Sequence, residues 1–564
     1  MTCFSFNFDI LVILHLIRTT SEAMRILSAI FAFILVLENV TMACKTKTEP
    51  PPKPKCKLPV ISKPLFETGG WLNCSGHADP YFNEAKTNED IHKQILAKGG
   101  VLENGKLVIK EELVVPKKDP ETSKCHLTCF RGFIPAIASS TSCSDGVWTQ
   151  DPETMTCVPS PCGAPTDPQH GWYSCFGNPS TCYLTCEPGY ATMSSTRITC
   201  QDGSWDVDPG SIKCEVAVAL LTGGIGGSDV FYPERCQTAE VFSPQDKTCS
   251  SLVLPTLLIG VTDHTSHLLD GEILICGGSD CGRTAEKIEK ENSKETIYTE
   301  TKSEHSCFKM LDDNTWGLHS VLPKYEYRRQ HMGAIQQDEL RLFGGLHNEG
   351  DPTSLLQEGK WVHGMKPSLP LTVYPTSLGR PCSVVTSQYT YIVTGGSFDQ
   401  LSKNTFSSVL EFNSLTKEWR ALPDLPEGRS DHACTLVTTK SGPGVMVAGG
   451  KNFKVQKDAL ESVFLLDLNR EVWYPAGNLN MGRTDMGLVV LGEKVMVLGS
   501  SHFNKDGYDG DNNERVEEYV VPCPSLRECS PSQPGTWKFT DRTIKRRSSL
   551  SVLPVAASRF NCTG

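Results

Sequence analysis

The sequence predicts an all-β protein in which two small disulfide-rich modules precede a larger repeat domain. The first observation is a duplicated cysteine spacing, since both Cys125, Cys129, Cys143, Cys157 and Cys182, Cys186, Cys200, Cys214 are separated by 4, 14 and 14 residues. The second observation is a paired glycine that ends a short apolar run every 50 to 67 residues after Cys214. Each pattern indicates an internal repeat, the first held by disulfides and the second by stacked β-sheets.

Length and composition limit the class of protein. A chain of 564 residues is too long for one core, so several domains are expected. The net charge of −11 and the lack of a concentrated basic segment argue against a nucleic-acid partner. Of the 24 cysteines, 12 lie between Cys56 and Cys214, which favours an oxidising compartment. We therefore expect an extracellular protein.

The N-terminus, residues 1–43, reads as a secretory signal peptide. Met24 and Arg25 precede the apolar run Ile26 to Leu37, and Ala43 ends an acceptable cleavage site, so Met24 is a candidate for the true start. Cleavage after Ala23 and an uncleaved signal anchor are the alternatives. Apolar runs here and later are shorter than the roughly 20 residues that span a bilayer, so no membrane span is expected in the mature chain.

Residues 44–55 are rich in proline and lysine. Because proline fixes φ and removes a donor, this segment is predicted to be an extended linker. Two modules follow, at 56–157 and 162–214, with six cysteines each, and six cysteines allow 15 pairings.

The two modules share more than cysteines. Cys-x-x-Gly-aromatic ends at Phe133 in one and Tyr190 in the other, and Asp-Gly-x-Trp ends at Trp148 and Trp205. These motifs resemble sushi (complement control protein) modules, in the six-cysteine form found in selectins. The resemblance implies that Trp148 and Trp205 are buried beside the disulfides, although exposed ligand platforms are the alternative. It implies the pairs Cys56–Cys143, Cys129–Cys157, Cys74–Cys125, Cys162–Cys200, Cys186–Cys214 and Cys175–Cys182.

The first module departs from the family between Cys74 and Cys125. The intervening residues 75–124 include an alternating stretch from Lys106 to Val115, which predicts an inserted loop with a short hairpin. Such an insertion could carry binding or be a tolerated loop. With four residues between Cys157 and Cys162, the two modules are expected to form a short rod.

The repeat domain, residues 215–556, resembles a kelch-type β-propeller with six blades, followed by a tail at 557–564. In this family the paired glycine ends the second strand of a blade and a later tryptophan packs between blades. A degenerate sixth pair is Gly499-Ser500. The glycines are Gly223, Gly224, Gly277, Gly278, Gly344, Gly345, Gly395, Gly396, Gly449 and Gly450, and the tryptophans are Trp316, Trp361, Trp419, Trp473 and Trp537.

The two ends of the repeat domain are complementary. Residues from Arg547 to Val555 resemble a first strand, and those from Glu215 to Leu221 resemble a second strand, so the C-terminus is predicted to complete the first blade. An arginine precedes most of the later blades, and these arginines are Arg329, Arg380, Arg429, Arg483 and Arg547.

Few residues suggest chemistry. His331, His432, Cys382 and Cys434 fall near the predicted inner strands, where a copper oxidase centre is the alternative to channel filling. The acidic loop from Asn504 to Glu514 could hold Ca²⁺ but misses the EF-hand spacing. Cysteine pairs Cys281–Cys307 and Cys523–Cys529 are the local guesses. No hydrolase, zinc-protease or phosphate-loop motif is present in the sequence.

The sequence therefore predicts a secreted recognition or adhesion protein that is not an enzyme and carries no cofactor. Its ligand would be an extracellular protein or glycan, bound by the sushi modules, the loops of the propeller or both. A propeller-housed extracellular enzyme, of copper-oxidase or glycan-processing type, is the alternative.

Overall fold

The protein was studied as a computed structural model. The structure describes three short strands near the N-terminus and most of the chain from residue 124 onward. The described ranges are 70–74, 101–103, 106–108, 124–129, 132–138, 140–144, 147–176, 180–225, 236–247, 249, 252, 254–280, 285–286, 297–298, 306–312, 315–322, 330–345, 353–357, 360–363, 379–387, 390–397, 404–414, 418–452, 459–500, 503–504, 507–508 and 514–562. The signal peptide, the linker and the acidic loop at 509–513 lie outside these ranges.

The described residues form strands joined by turns and a few 3₁₀ segments, so the predicted all-β class is confirmed. The 3₁₀ segments are Pro152–Thr154, Pro209–Ser211, Leu526–Glu528 and Ala557–Phe560. The strands are β1 Gly70–Cys74, β2 Val101–Glu103, β3 Lys106–Val108, β4 Lys124–Cys129, β5 Phe133–Pro135, β6 Ser140–Ser144, β7 Val147–Trp148, β8 Cys157–Pro159, β9 Gly171–Phe176, β10 Thr181–Cys186, β11 Tyr190–Ala191, β12 Arg197–Gln201, β13 Ser204–Trp205, β14 Glu215–Thr222, β15 Ala239–Phe242, β16 Val261–Thr262, β17 Thr265–Leu269, β18 Glu272–Cys276, β19 Ser279–Asp280, β20 Ala285–Glu286, β21 Ile297–Tyr298, β22 Ser306–Met310, β23 Trp316–Val321, β24 Met332–Gln336, β25 Glu339–Phe343, β26 Thr353–Gln357, β27 Lys360–His363, β28 Cys382–Val385, β29 Thr390–Thr394, β30 Val409–Asn413, β31 Glu418–Leu422, β32 Ala433–Thr439, β33 Gly442–Ala448, β34 Ser462–Asp467, β35 Val472–Asn478, β36 Gly487–Leu491, β37 Lys494–Leu498, β38 Phe503–Asn504, β39 Gly507–Tyr508, β40 Arg515–Val520, β41 Thr536–Thr543 and β42 Ser551–Ala556.

The chain divides into two compact units, Met1–Leu58 with Cys143–Thr149 and Pro59–Ser142 with Gln150–Gly564. In the first unit the described residues belong to the end of β6 and to β7, which pair at Cys143 and Trp148.

The two cysteine-rich modules are built from corresponding strands. In module 2, the order β9-β10-β12-β13 places Cys175 opposite Cys182. In module 1, β1 pairs with β4 and β4 with β6, and Cys74 stands opposite Cys125. The equivalent register agrees with the duplication that the cysteine spacing indicates. Inside the insertion, β2 and β3 form a hairpin, which begins before the stretch that predicted it.

Six sheets follow the modules, and we number them 1 to 6 along the chain. All strand pairs in these sheets are antiparallel, and five of the sheets have four described strands. Sheet 1 contains β42, β14 and β15; sheet 2 β17, β18, β22 and β23; sheet 3 β24 to β27; sheet 4 β28 to β31; sheet 5 β32 to β35; and sheet 6 β36, β37, β40 and β41.

The sheets contact one another in sequence through their first strands. β17 contacts β24, and the contacts continue through β28, β32 and β36 to β42, which contacts β17. Each neighbouring pair of sheets also encloses its own apolar cluster, for example Leu274 of sheet 2 against Leu340 of sheet 3. Because residues alternate across a strand, each sheet supplies one face to each neighbour. This arrangement is consistent with the predicted propeller.

Sheet 1 combines the two ends of the repeat domain. β42 pairs with β14 from Ala217–Ala556 to Thr222–Ser551, as the sequence predicts for a last strand that completes the first sheet. The other end of β14 pairs with β11 of module 2, at Tyr190–Val216 and Ala191–Glu215. One strand therefore runs from the disulfide at Cys214 into the repeat domain.

Disulfides join both modules and sheets. The structure contains four pairs that the sushi resemblance implied, namely Cys129–Cys157, Cys162–Cys200, Cys175–Cys182 and Cys186–Cys214. Cys143 is disulfide-bonded, and so is Cys125, each as one member of a separate implied pair. Cys56 and the side chain of Cys74, their implied partners, lie outside the described residues.

In the repeat domain one predicted pair is wrong. Cys307 bonds to Cys276 rather than to Cys281, because the register of β18 and β22 sets Cys276 and Cys307 directly opposite each other. The Cys523–Cys529 pair is present. Cys382–Cys434 links sheets 4 and 5, and Cys249–Cys562 links sheet 1 to the C-terminal tail; neither pair was anticipated from the sequence.

Candidate functional site

One end of the six sheets carries a ring of six residues, each just before the first strand of a sheet. All six are left-handed, with φ between 52° and 58°. The amide of each donates to the carbonyl of its counterpart in the neighbouring sheet at 2.9 to 3.2 Å, and the sixth bond returns to the first residue. Each residue donates to the one named after it, in the order Asp263, Ser549, Asp485, Asp431, Arg380 and Gln330. We call this end the ring face.

The local sequence explains part of this conformation. Aspartate tolerates the left-handed region better than most residues, and three of the six ring residues are aspartates. A non-glycine residue in this region is held there only when its surroundings require it. At each position the hydrogen bond to the next sheet supplies that requirement, so the ring couples all six sheets through the backbone.

Side chains of the ring form a buried charge cluster. Asp431, with a side chain 1% exposed, accepts a hydrogen bond from Arg380 Nη1 at 3.1 Å. Lys451 Nζ lies 3.6 Å from Asp431 Oδ2 and 3.4 Å from Asp485 Oδ2. Ser430 also donates its hydroxyl to Asp431 at 3.0 Å. The ring face therefore holds two cationic and two acidic side chains in one network, and each of them is less than one-fifth exposed. We call this cluster the mouth of the ring face.

The network shifts the pKa values of its two carboxylates in opposite directions. Burial alone would raise the pKa of Asp431, but Lys451 and Arg380 outweigh it and hold the pKa below its usual value. Burial raises the pKa of Asp485 in spite of the nearby Lys451 charge, and the negative Asp431 adds to the rise. A partner that brings charge to this mouth would meet a site with both acceptor and donor groups.

Four histidines lie near this end of the inner strands, and threonine hydroxyls accompany them. His264 Nε2 lies 2.9 Å from Thr222 Oγ1, and His432 Nε2 lies 2.8 Å from Thr394 Oγ1. Burial lowers the pKa of His264, His267 and His432 to about 3, so these three imidazoles are neutral at physiological pH.

The residues that raised the copper alternative are placed differently from a metal site. His331 Nε2 lies 3.0 Å from Thr265 Oγ1, His432 pairs with Thr394, and Cys382 and Cys434 are consumed in a disulfide. Within the part of the chain that the structure describes, no group of three or more His, Cys, Asp or Glu side chains could hold a metal ion.

The glycine pairs lie at the ring face and end the second strands of sheets 1 to 5. Their first members have φ of 56° to 63° and their second members 87° to 102°. At Gly450, for example, a Cβ would lie 2.6 Å from the Ser430 carbonyl oxygen. The Gly450 amide donates to the Arg483 carbonyl at 2.8 Å, and this bond recurs between Gly396 and Arg429. The pair therefore secures the chain as it enters the next sheet.

The arginines that precede the first strands have two different positions. Arg429 and Arg483 are fully buried, and their guanidinium groups donate to the carbonyls of Gly449 and Gly499. Arg547 does the same to Gly223 at 3.2 Å. Arg380 also precedes the first strand of its sheet, but it occupies the ring position, two residues closer to the strand than the other three arginines. Arg329 lies outside the described residues.

The tryptophans of the repeats bind the preceding sheet. Trp361, Trp473 and Trp537 donate their indole N–H groups to Ser320 Oγ, the Pro423 carbonyl and the Ala476 carbonyl at 2.9 to 3.2 Å. Trp316 and Trp419 are buried in apolar clusters between sheets. In the modules Trp205 is half-buried and stands opposite Cys200, and Trp148 is half-buried opposite Cys143.

Comparison with known proteins identifies one module and two kinds of relative. The family model described as Sushi repeat (SCR repeat) matches residues 162–214. E-selectin from Homo sapiens is 28% identical over 169 residues, covering 26% of this chain and 26% of its own length. Kelch-like protein 40a from Danio rerio is 30% identical over 127 residues, covering 22% of this chain and 20% of its own length. The chain therefore matches 26% and 20% of the lengths of these two relatives.

Among solved structures, the one described as "Structure of YjhT" aligns over 54% of this chain and 91% of its own chain, with 12% identity and a TM-score of 0.40. The part of the chain that the structure describes contains no helix long and apolar enough to cross a membrane. The disulfides and the sushi repeat are consistent with an extracellular protein. Residues 162–214 are a sushi repeat, and the chain also resembles kelch-like proteins at low identity.

Proposed function

We propose that this chain is a secreted recognition or adhesion protein that binds an extracellular protein or glycan at the ring face. The proposal includes two tandem sushi modules, at 56–157 and 162–214, and a six-bladed kelch-type propeller at 215–556. It also includes the Cys74–Cys125 disulfide, since these residues are opposite in register as Cys175 and Cys182 are.

The charge cluster at the ring face is the observation that carries this proposal. A frame of six hydrogen-bonded sheets holds Arg380, Asp431, Lys451 and Asp485 in fixed positions at the mouth. A preorganised polar site orders few residues on binding and so loses little conformational entropy. Similarity to selectins and to kelch-like proteins supports an extracellular binding role, although each match covers a small part of those proteins.

Binding without catalysis is part of the proposal. General acid–base chemistry at neutral pH needs a group that titrates near that pH. Burial holds the pKa of His264 and His432 at about 3, and each ring is hydrogen-bonded to a threonine. These histidines are suited to support the inner strands rather than to transfer protons.

The test begins with residues 44–564 expressed in a secretory host and probed against an extracellular protein and glycan array. The variants Arg380→Ala and Lys451→Ala should each lower the affinity for the captured partner by at least tenfold. This loss corresponds to about 1.4 kcal/mol of binding free energy. Lys494→Ala is the control, because Lys494 forms an exposed ion pair with Glu518 at the opposite end of the sheets. Equal binding by all three variants, or stoichiometric copper without a partner, would contradict the proposal.

A further inference from the structure

The end of the sheets opposite the ring face is already occupied. At this end a tight turn joins the first and second strands of sheets 2, 3, 5 and 6, and we call this end the turn face. Residues of module 2 contact the turns of sheets 2, 3 and 6, and β11 pairs with the start of β14 in sheet 1. Module 2 is therefore in direct contact with the repeat domain.

The closest approach is at sheet 6. Gly189, the glycine of the Cys-x-x-Gly-aromatic motif, lies so near the turn at Gly492 that a Cβ would be 1.9 Å from the Gly492 carbonyl oxygen. The Gly492 amide donates to the Gly189 carbonyl at 2.9 Å. The Ala217 amide donates to the same carbonyl at 2.9 Å, so Gly189 ties module 2 to sheets 6 and 1 together.

Contacts at sheets 2 and 3 use a different edge of module 2. A Cβ on Gly271 would lie 3.1 Å from the Ser194 carbonyl carbon. Arg559, just after β42, donates to the carbonyls of both Met193 and Gly271. In sheet 3 the Thr196 hydroxyl lies 3.5 Å from Asp338 Oδ1.

Charged groups support the sheet 6 side. Glu187 Oε2 lies 2.8 Å from Arg527 Nη1 and 3.2 Å from His170 Nδ1. Arg527 Nε also lies 3.2 Å from Glu493, beside the Gly492 turn. The His170 ring stacks on Tyr190, with centroids 3.9 Å apart and an interplanar angle of 7°. This network links module 2 to the repeat domain through side chains as well as backbone.

We propose that sushi module 2 is a built-in plug of the repeat domain. Sheets 3 and 6 are three steps apart in the circular order of six, and module 2 touches the turns of both and the turn of sheet 2. Module 2 therefore extends from one side of the turn face to the opposite side. The turn face is then closed by the chain itself, and a partner can reach the inner strands only from the ring face. In this last point the inference rests on the proposed function.

Module 1 contacts module 2 in the same way that module 2 contacts the repeat domain. Gly132, which corresponds to Gly189, lies against the start of module 2, where its Cβ would be 3.3 Å from Ala164 Cβ. The strand after each module also pairs back with it: β8 with β5 in module 1, and β14 with β11 in module 2. The repeat domain therefore occupies the place that a third module would take.

A matched pair of glycine variants tests the plug in the full chain. Gly189 and Gly203 lie in the same module with φ of 92° and 81°, but a Cβ at Gly203 would meet nothing within 4 Å. Both alanine variants strain the backbone to a similar degree, and only Gly189→Ala also pushes against the repeat domain. Amide hydrogen exchange then reports on the turns at Gly271 and Asp338, which are remote from Gly189.

We expect Gly189→Ala to speed exchange in the turns of sheets 2 and 3 by at least tenfold, and Gly203→Ala to leave them unchanged. A change confined to the sheet 6 turn, or equal changes in both variants, would overturn the plug. If Gly189→Ala is not secreted, Arg527→Glu should produce the same remote exposure, and Glu187→Arg in the same chain should restore protection. Failure of that rescue would also count against the proposal.

This experiment needs no partner, so its outcome is separate from that of the binding screen. A chain with protected turns but no ligand would retain the plug and lose the proposed function. A chain whose turns exchange freely, but whose ring-face variants bind the partner more weakly, would retain the proposed function and lose the plug.

Discussion

Arg483 and Glu517 form an ion pair with neither side chain exposed to solvent, and Arg483 Nε lies 2.9 Å from Glu517 Oε1. Glu517 also accepts hydrogen bonds from the Asn480 amide and side chain at 2.8 and 2.7 Å. Removing one member of such a pair leaves a buried charge without its partner, which typically costs about 3–5 kcal/mol. We expect Glu517→Ala to lower the free energy of unfolding by this amount.

The neighbouring residue provides the control for this variant. Glu518 is in the same strand, but its ion pair with Lys494 is partly exposed, so Glu518→Ala should cost less than about 1 kcal/mol. Urea denaturation of the two variants measures the difference. Equal losses would show that the strand, and not the buried pair, determines the effect.

The Cys249–Cys562 disulfide should stabilise the protein more than Cys523–Cys529. The first closes a loop with a sequence separation of 313 and the second one of 6. If loop entropy of the unfolded chain governs the effect, the losses on replacing both cysteines by serine are on the order of 5 and 2 kcal/mol. Thermal unfolding of the two double variants tests the order, and a greater loss for the Cys523–Cys529 variant would contradict it.

Asp338 should make stability fall as pH rises through the weakly acidic range. Burial, and then the nearby Asp270, raise the pKa of Asp338 to about 6. The folded protein thus binds a proton more tightly than the unfolded chain, so this group's contribution is most favourable below pH 4 and declines until about pH 6. Above pH 6 the ionised carboxylate reduces stability because it is partly buried and near Asp270, and the hydrogen bond from Thr196 offsets only part of this.

The variant Asp338→Asn removes this dependence and tolerates the same left-handed backbone. Because the site keeps some solvent contact, we expect a discounted gain of about 1 kcal/mol at pH 7 and little change at pH 4. Unfolding measured in urea from pH 4 to 7 provides the comparison. Parallel curves for the two proteins would show that Asp338 does not titrate as expected.

How much the sequence predicts depends on whether a feature is local. The glycine pairs end second strands because the backbone turn there needs a positive φ, which is a property of the residue itself. The ring was missed because Gln330, Arg380 and Ser549 share no side-chain chemistry with its aspartates. A signal was present in Thr262-Asp-His264 and Ser430-Asp-His432, each at the start of a sheet.

Long-range pairing is what the sequence could not specify. In the sequence, Cys276 and Cys281 are both plausible partners for Cys307. Only the register of β18 and β22 shows that Cys276 is the one that bonds to it. The plug could not be predicted for the same reason. The sequence motif accounts for a glycine at position 189, but only the fold shows that this glycine packs against Gly492. Residue spacings in the sequence identify individual elements, whereas contacts between elements depend on strand register and on how the domains pack.

His432 should contribute to acid sensitivity in the opposite sense to Asp338. Burial, and then the charge of Arg429, lower the pKa of His432 to about 3, while the unfolded chain protonates near pH 6.5. The unfolded state therefore binds more protons between these values, and stability is full above pH 6.5 and falls as the pH drops toward 3. The slope from one such group is about 1.4 kcal/mol per pH unit.

The variant His432→Gln keeps a side chain that can bond Thr394 and removes the titration. We expect it to be less stable than the parent at pH 7 but to lose less stability between pH 6 and 4, with the slope reduced by about 1.4 kcal/mol per pH unit. His319→Gln is the control, because His319 is less buried and burial lowers its pKa less. An unchanged slope in His432→Gln would mean that this imidazole is protonated in the folded protein, and the neutral histidines beneath the ring would have to be reconsidered.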